Sequence, residues 1–460
     1  FGKGWISTYE ATCKDFQNDP SLNLKVVTLP GNKPILFTYE NGSYTCGTSR
    51  MKLTNGTNGT FVLETPEKIR YTFNSDGQLI TIVDKLDNTV TISLSDEGKI
   101  QSITDSVSRQ YSFEYGNNGL VSKISDPSGR IFQYQYDSNN MLINIIDPML
   151  TCTTQYRYNS DGYIAVIFDA FHNIIESVTY SSETSGRISS ITDKDGANYA
   201  YTIDDTERKI TITDIFEKST VYSYDKYMQL ISTTDISGTK SINYYNAFGD
   251  INTVTYSDSN TEKYVYDANG NILSVTYTND GVTSKEEYTY DTDGNMLSSK
   301  DTDGKRKYYE YDSIGRLSME ITPNNGTDIY DEDTSDPDDF YMAEYEYYRT
   351  PKYRKNLVSG IYYSNDTYIT YSYDNNGYLL SETTESGATS YSHNNIGWLK
   401  SEIKSGSDSI NYSYNLNGNI TLLQKGTTVI TRSVYDTYGR IKQQIEGSEY
   451  SEEYDGLKKI

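Results

Sequence analysis

Histidine is nearly missing from this sequence: His172 and His393 are the only two among 460 residues. General acid–base work near neutral pH and His-based metal binding therefore have little material. Cysteine is equally sparse. Cys13, Cys46 and Cys152 are an odd number without zinc-type spacing, which leaves a Cys13–Cys46 disulfide and free structural thiols both open. Apolar residues make up only 35% of the chain, thin supply for several solid cores. No run of about 18 apolar residues occurs, so no helical membrane span is expected. Positive charge is short as well, with 40 Lys and Arg against 64 Asp and Glu, a net charge of -24. Phosphate backbones and anionic membrane surfaces would repel such a chain, so nucleic acid is not an expected partner. With no initiator Met and no basic-then-apolar leader, it reads as a piece of a longer polypeptide.

Tyrosine is abundant, with 47 copies. Its ring packs as an apolar plate while its hydroxyl needs a polar partner, which suits thin two-faced sheets. The tyrosines fall in a repeat. Reference marks stand at Gly77, Gly98, Gly119, Asn140, Gly162, Gly186, Arg208, Met228, Gly249, Gly270, Gly294, Gly315, Asn356, Gly377, Gly397, Gly418 and Gly439, mostly 21 residues apart. Thirteen of the seventeen are Gly and two are Asn, the residues most tolerant of positive φ in a turn. The residue two after every mark is apolar, among them Leu79, Val121, Ile272, Leu317 and Ile441. Upstream of the marks tyrosines recur two apart, as in Tyr264 and Tyr266 or Tyr309 and Tyr311. That spacing puts both rings on one face of a strand.

Each unit thus reads as a Tyr-x-Tyr strand, an Asp-x-x-Gly turn and an apolar-alternating strand, with a second turn leading onward. The expected fold is all-β: tandem antiparallel hairpins in one continuous, spiralling sheet forming a hollow shell or partial cocoon. A β-propeller is the main rival, because two units match a four-stranded blade in length. Residues 1–70 form a divergent start or cap, and 71–460 the repeat array. An acidic loop is inserted at about 328–341. Its Asp331, Asp333, Asp336, Asp338 and Asp339 could offer Ca²⁺ the hard oxygens it prefers, although their spacing fits no EF-hand. A solvated acidic loop is the competing reading, and no other cofactor is expected.

Catalysis has no residues behind it. His393 stands where other units carry the Tyr before Asp, and His172 lies in a turn-like segment. The many carboxylates sit at turn positions, where Asp has a structural task. Gly2-x-Gly4 lacks the third glycine and the strand-to-helix context of a dinucleotide loop. Asn55-Gly56-Thr57 and Asn58-Gly59-Thr60 match the glycosylation sequon and mark surface loops.

Tyr-Asp-x-x-Gly with an apolar residue two places on, repeated along the chain, resembles the YD repeats of the RHS family. The opening Phe1-Gly2-Lys3-Gly4-Trp5 is similar to the segment that introduces the repeats in bacterial members. The resemblance implies a strip of sheet that spirals into a cocoon, which in toxin-bearing members sequesters a C-terminal effector. Animal teneurins use a related barrel at the cell surface. Those toxin-bearing members close with a self-cleaving core motif, and Tyr454-Asp455-Gly456-Leu457 does not match it. The resemblance therefore implies a non-catalytic shell segment of a secreted or cell-surface protein, with an effector domain or other part of the same polypeptide as partner. The alternative is an adhesin whose exposed tyrosines stack on cell-surface glycans.

Overall fold

The computed structural model describes residues 1–460 except 32–33, 150–152, 182–185, 245, 327, 332–334, 350–355, 437–438, 448–449, 456–457 and 460, and except the side chains of 153, 450–455 and 458–459. The protein is all-β. Every described register pairs a strand with the next one along the chain, antiparallel. Two compact units are built from interleaved stretches: one from Phe1–Trp5, Ile92–Glu176 and Tyr345–Ile460, the other from Ile6–Thr91 and Ser177–Glu344.

The second unit opens with a small sheet of β1 (Thr12–Asp15), β2 (Leu24–Thr28), β3 (Ile35–Glu40) and β4 (Ser43–Thr45) in that order. β5 (Lys52–Asn55) and β6 (Phe61–Glu64) already pair onward to Arg70–Phe73 in the repeat sheet. The sheet therefore starts near residue 52, ahead of the expected boundary at 70, because β5 and β6 have the alternation of a hairpin without the Tyr-Asp spelling. The opening stretch is also divided, with Phe1–Trp5 in one unit and the chain from Ile6 in the other. Farther on, the ladder runs from Ile188–Asp193 through Leu317–Pro323 with no interruption. Four-stranded propeller blades would break it.

The marked glycines sit in hairpin turns. Gly77, Gly98, Gly119, Gly162, Gly249, Gly270, Gly294, Gly315, Gly377, Gly418 and Gly439 all have φ between 75° and 93°. In each such turn the mark's N–H donates to the carbonyl three residues earlier, as Gly270 does to Asp267. A register shift follows just before the Tyr of Tyr-Asp, setting Tyr136 opposite Leu142, Tyr266 opposite Ile272 and Tyr311 opposite Leu317. This bulge puts ring and aliphatic side chain on one face. The linking turns share the geometry, and His172 is the positive-φ residue of one of them, at 62°.

The aliphatic stripe is less buried than its regularity suggests. Leu79 and Leu142 are 2% and 1% exposed, Ile272, Leu317 and Ile441 are half-buried, and Ile420 is 40% exposed. Full burial occurs where the N-terminal stretch lies on the repeats: Thr12 bridges Gln78, and Gly2 packs against the Leu142 backbone. Elsewhere a single sheet supplies only its own neighbours as cover. The densest core lies in the second unit, with Cys13, Phe37, Leu63 and Phe73 at most 1% exposed. The Cys13 and Cys46 thiols are free, and burial pushes Cys13 up to about 12. Cys152 lies outside the described residues.

The acidic insertion leaves the sheet. Pro323 pairs with Phe340, and the described residues between them, 324–326, 328–331 and 335–339, belong to no strand. Tyr330 folds back onto Tyr308 and Phe340, with ring centroids 5.8 and 5.3 Å away. Deleting Asp328–Asp339 leaves four residues to close the hairpin, a common loop length. It should cost only about 1 kcal/mol, for the lost Tyr330 stacking. Thermal unfolding would check this, and a variant that fails to fold would put these residues in the sheet.

Candidate functional site: turn edges and the tyrosine face

Where a turn begins with Asp, that side chain closes it. Asp267 Oδ1 accepts from the N–H groups of Asn269 and Asn271 at 2.8 and 2.9 Å, and its other oxygen takes the Asn271 side chain at 2.9 Å. Elsewhere the residue four places on is Arg: Arg109, Arg130, Arg316 and Arg440 each put Nε 2.6 Å from the turn carboxylate. Burial of Asp126 opposes its ionisation, but hydrogen bonds from Ser128 and Arg130 outweigh that and hold it below the usual carboxylate range. These turn carboxylates are thus committed to their own turns.

The glycines have a second task that their φ alone does not disclose. The side chain just after one mark lies over the next unit's mark. A β-carbon on Gly315 would sit 3.7 Å from Asn295, one on Gly397 2.5 Å from Tyr378, and one on Gly418 2.8 Å from Trp398. The residues after the marks therefore form a stacked row along the turn edge.

Within each unit, turn edges from distant stretches of chain meet. In the first unit Arg109 Nη1 donates to Tyr378 Oη at 2.9 Å, and Asn417 Nδ2 donates to Asp147 Oδ2 at 2.7 Å, across sequence separations of 269 and 270. Arg130 lies over the Trp398 ring at 4.8 Å and Arg440 over Phe171 at 3.7 Å. The near-constant separation means the two stretches run in register. In the second unit Arg50 Nη1 bonds Asp250 Oδ1 at 2.9 Å and stacks on Phe248 at 4.4 Å, while Lys85 reaches Asn295 at 3.2 Å.

The tyrosine hydroxyls find the partners that a ring on a thin sheet requires. The Tyr of Tyr-Asp donates to the carbonyl of the aliphatic residue one unit back: Tyr136 to Val121 at 2.8 Å, Tyr266 to Ile251 at 2.9 Å, Tyr435 to Ile420 at 2.9 Å. Tyr136→Phe should cost about 1 kcal/mol, the net worth of such a bond. Tyr435→Phe, whose bond to Ile420 is exposed, should stay within about 0.5 kcal/mol; equal losses in urea unfolding would refute the latch. Other hydroxyls meet carboxylates, Tyr256 and Tyr264 on Glu262 and Tyr277 and Tyr288 on Glu286.

Burial, then neighbouring Tyr134 and Tyr115, pushes Tyr136 up to about 12; burial, then Glu286, does the same for Tyr288. Unfolded tyrosine ionises near pH ~10. The folded state therefore holds its protons longer. That stability is fully present below about pH 10 and is lost as pH rises toward 12. Sheet circular dichroism should collapse together with a steep rise in tyrosinate absorbance in that window. A smooth tyrosine titration with the sheet signal retained would contradict it.

The residues singled out for other chemistry are scattered. Asp331, Asp336, Asp338 and Asp339 lie in the exposed loop, with Asp336 Oδ1 capping Asp338 N at 3.1 Å. Asp333 is outside the described residues. Among the described residues no three His, Cys, Asp or Glu side chains are gathered as metal ligands. His172 and His393 are far apart in the repeat, in a turn and on a strand end. The seam residues Arg50, Arg109, Arg130, Tyr378 and Trp398 went unnoticed in the sequence. The Asp-x-x-x-Arg spacing at 105/109, 126/130, 312/316 and 436/440 was the signal available.

Residues 266–306, which hold the turns at Gly270 and Gly294, match the family model described as RHS Repeat. No curated protein matches the chain. Among solved structures it is similar over 96% of its length to a chain of the Photorhabdus luminescens Tc holotoxin pore, at 12% identity and TM-score 0.48. It is also similar over 97% of its length to TcdB2-TccC3 without its hypervariable C-terminal region, at 12% identity and TM-score 0.43. In both cases this chain spans 30% of the matched chain.

Proposed function

We propose, from the premise that this chain is built of RHS repeats, that it is a non-catalytic wall segment of a larger secreted or cell-surface protein, enclosing an effector-type part of the same polypeptide. The observation that carries this reading is the seam. Hairpin edges roughly 270 residues apart are fastened to each other in register, which a strip needs if it is to act as a wall rather than as a loose ribbon. The tyrosine chemistry agrees, since the Tyr-Asp hydroxyls are spent on backbone carbonyls and the turn carboxylates on backbone N–H groups. What remains for function is the surface the wall presents to whatever it covers.

The test uses the full-length polypeptide. Limited proteolysis should spare the part downstream of this chain, and weakening the seam by Arg109→Ala with Arg130→Ala should expose it to cleavage while the repeats keep their sheet signal. A downstream part that is cut equally fast with and without the seam would reject enclosure. Binding of the isolated chain to a glycan array through exposed rings such as Tyr111 and Tyr227, 45% and 66% exposed, would instead favour the adhesin reading.

A further inference from the structure

Asparagine followed by glycine is a chemically fragile pair, because a residue without a side chain lets its backbone nitrogen reach the preceding carboxamide carbon. Several mark turns carry the pair, among them Asn269-Gly270, Asn376-Gly377 and Asn417-Gly418. Their backbones are alike. Each glycine N–H donates to the carbonyl three residues earlier, that of Asp267 at 3.3 Å, Asp374 at 3.1 Å and Asn415 at 3.1 Å. Their side chains differ, since Asn269 and Asn376 are exposed whereas Asn417 is half-buried.

Three contacts set Asn417 apart. Its Nδ2 donates to Asp147 Oδ2 at 2.7 Å, across a separation of 270 residues and within the first unit. Its Oδ1 is buried and meets no hydrogen-bond partner among the described residues, so the bond to Asp147 is what holds the carboxamide. Trp398 covers the following residue, where a β-carbon on Gly418 would meet the indole at 2.8 Å. With the seam closed, the carboxamide cannot turn toward the Gly418 nitrogen without giving up a charge-assisted hydrogen bond. The same bond makes the contact vulnerable to one change. If the donor becomes a second carboxylate, attraction turns into repulsion in a part-buried place.

We propose that Asn417 is a deamidation site that works as a one-way latch on the seam. While the turns at Asp147 and Asn415 are joined, it is protected. Once they part, the Gly418 nitrogen attacks Asn417 Cγ; the N–Cγ bond forms, the Cγ–Nδ2 bond breaks, and ammonia leaves with the proton that the glycine nitrogen gives up. Water then opens the five-membered imide at either carbonyl, which leaves a carboxylate in the normal or the β-linked chain. Water is the only co-reactant, and nothing is oxidised or reduced. Asp147 now faces a like charge, so the seam does not reclose at this point.

The experiment incubates the intact chain at mildly alkaline pH and follows deamidation by peptide mapping with mass spectrometry. Asn417 should react about tenfold or more slowly than Asn376, which is what a hydrogen bond to a charged group is worth in protection. Asp147→Ala should bring Asn417 up to the rate of Asn376 and leave Asn376 unchanged. Hydrogen exchange at the turns 147–149 and 415–418 reads the second half. Asn417→Asp should speed exchange there more than Asn417→Ala does, and adding Asp147→Asn should slow it again, because donor and acceptor have traded places. Equal rates at Asn417 and Asn376 in the folded chain, or no response to Asp147→Ala, would overturn the proposal. So would an Asn417→Asp effect no larger than that of Asn417→Ala, or one that Asp147→Asn does not reverse.

Discussion

Gly77→Ala is expected to destabilise the protein by about 3 kcal/mol, whereas Gly129→Ala should cost only about 1 kcal/mol. Both glycines have positive φ, 75° and 82°, so both substitutions carry the same backbone strain. Their surroundings differ. Nothing lies within 4 Å of a β-carbon on Gly129, while one on Gly77 would overlap the Cys13 carbonyl oxygen and approach its carbonyl carbon at 2.9 Å. That neighbour is backbone and cannot swing away as a side chain would. It is also bonded in place, with Cys13 N–H donating to Gly77 O at 2.9 Å. The added methyl must therefore push β1 off the repeat sheet, opening the core around Phe37 and Phe73. Urea unfolding would read the difference in stability. A thiol reagent supplies a second measure, since buried Cys13 should become reactive in Gly77→Ala and stay protected in Gly129→Ala. Equal stability losses with Cys13 protected in both would show that the close approach is unimportant.

Asp250→Ala should cost a similar amount, about 3 kcal/mol, because it strands a charge rather than merely losing a contact. The Arg50 and Asp250 side chains are 17% and 11% exposed and doubly bonded, and Asn246 Nδ2 adds a third hydrogen bond to Asp250 at 2.9 Å. Arg50 fits there because Gly270 has no side chain; a β-carbon would come 2.8 Å from Nη1. Arg50→Lys should not rescue the pair, since an ammonium cannot make the two-pronged bond or lie flat on Phe248. The pH dependence has a definite sign. The Arg50 hydrogen bond holds the Asp250 carboxyl below its ordinary range, so its contribution is present above about pH 4 and is lost as pH falls through the folded value. Asp250→Ala should flatten the acid limb of the stability profile. A variant as stable as the parent at pH 7 would mean that the N-terminal stretch is held by its core alone.

The local repeat was legible because its signals act over a few residues. Glycine marks, tyrosines two apart and an aliphatic residue two beyond the mark each report a turn or a strand face, and local backbone sterics decide both. At the insertion the crowd of aspartates was the signal that a loop had been added between strands. β5 and β6 escaped notice because they form the same hairpin without its usual letters. Arg130 and Trp398 carry no local mark of their partnership. Their meaning depends on which turn lies opposite.

By itself, then, the sequence determined the all-β hairpin unit, its turns and its alternation, since these follow from φ preference, side-chain period and hydrogen bonds within about five residues. Only the tertiary structure decided which units touch. Arg109 meets Tyr378 and Arg50 meets Asp250 because small twists at each hairpin accumulate over many units. No single repeat encodes that sum, so the seam and the buried ion pair emerge only when distant turns are brought side by side.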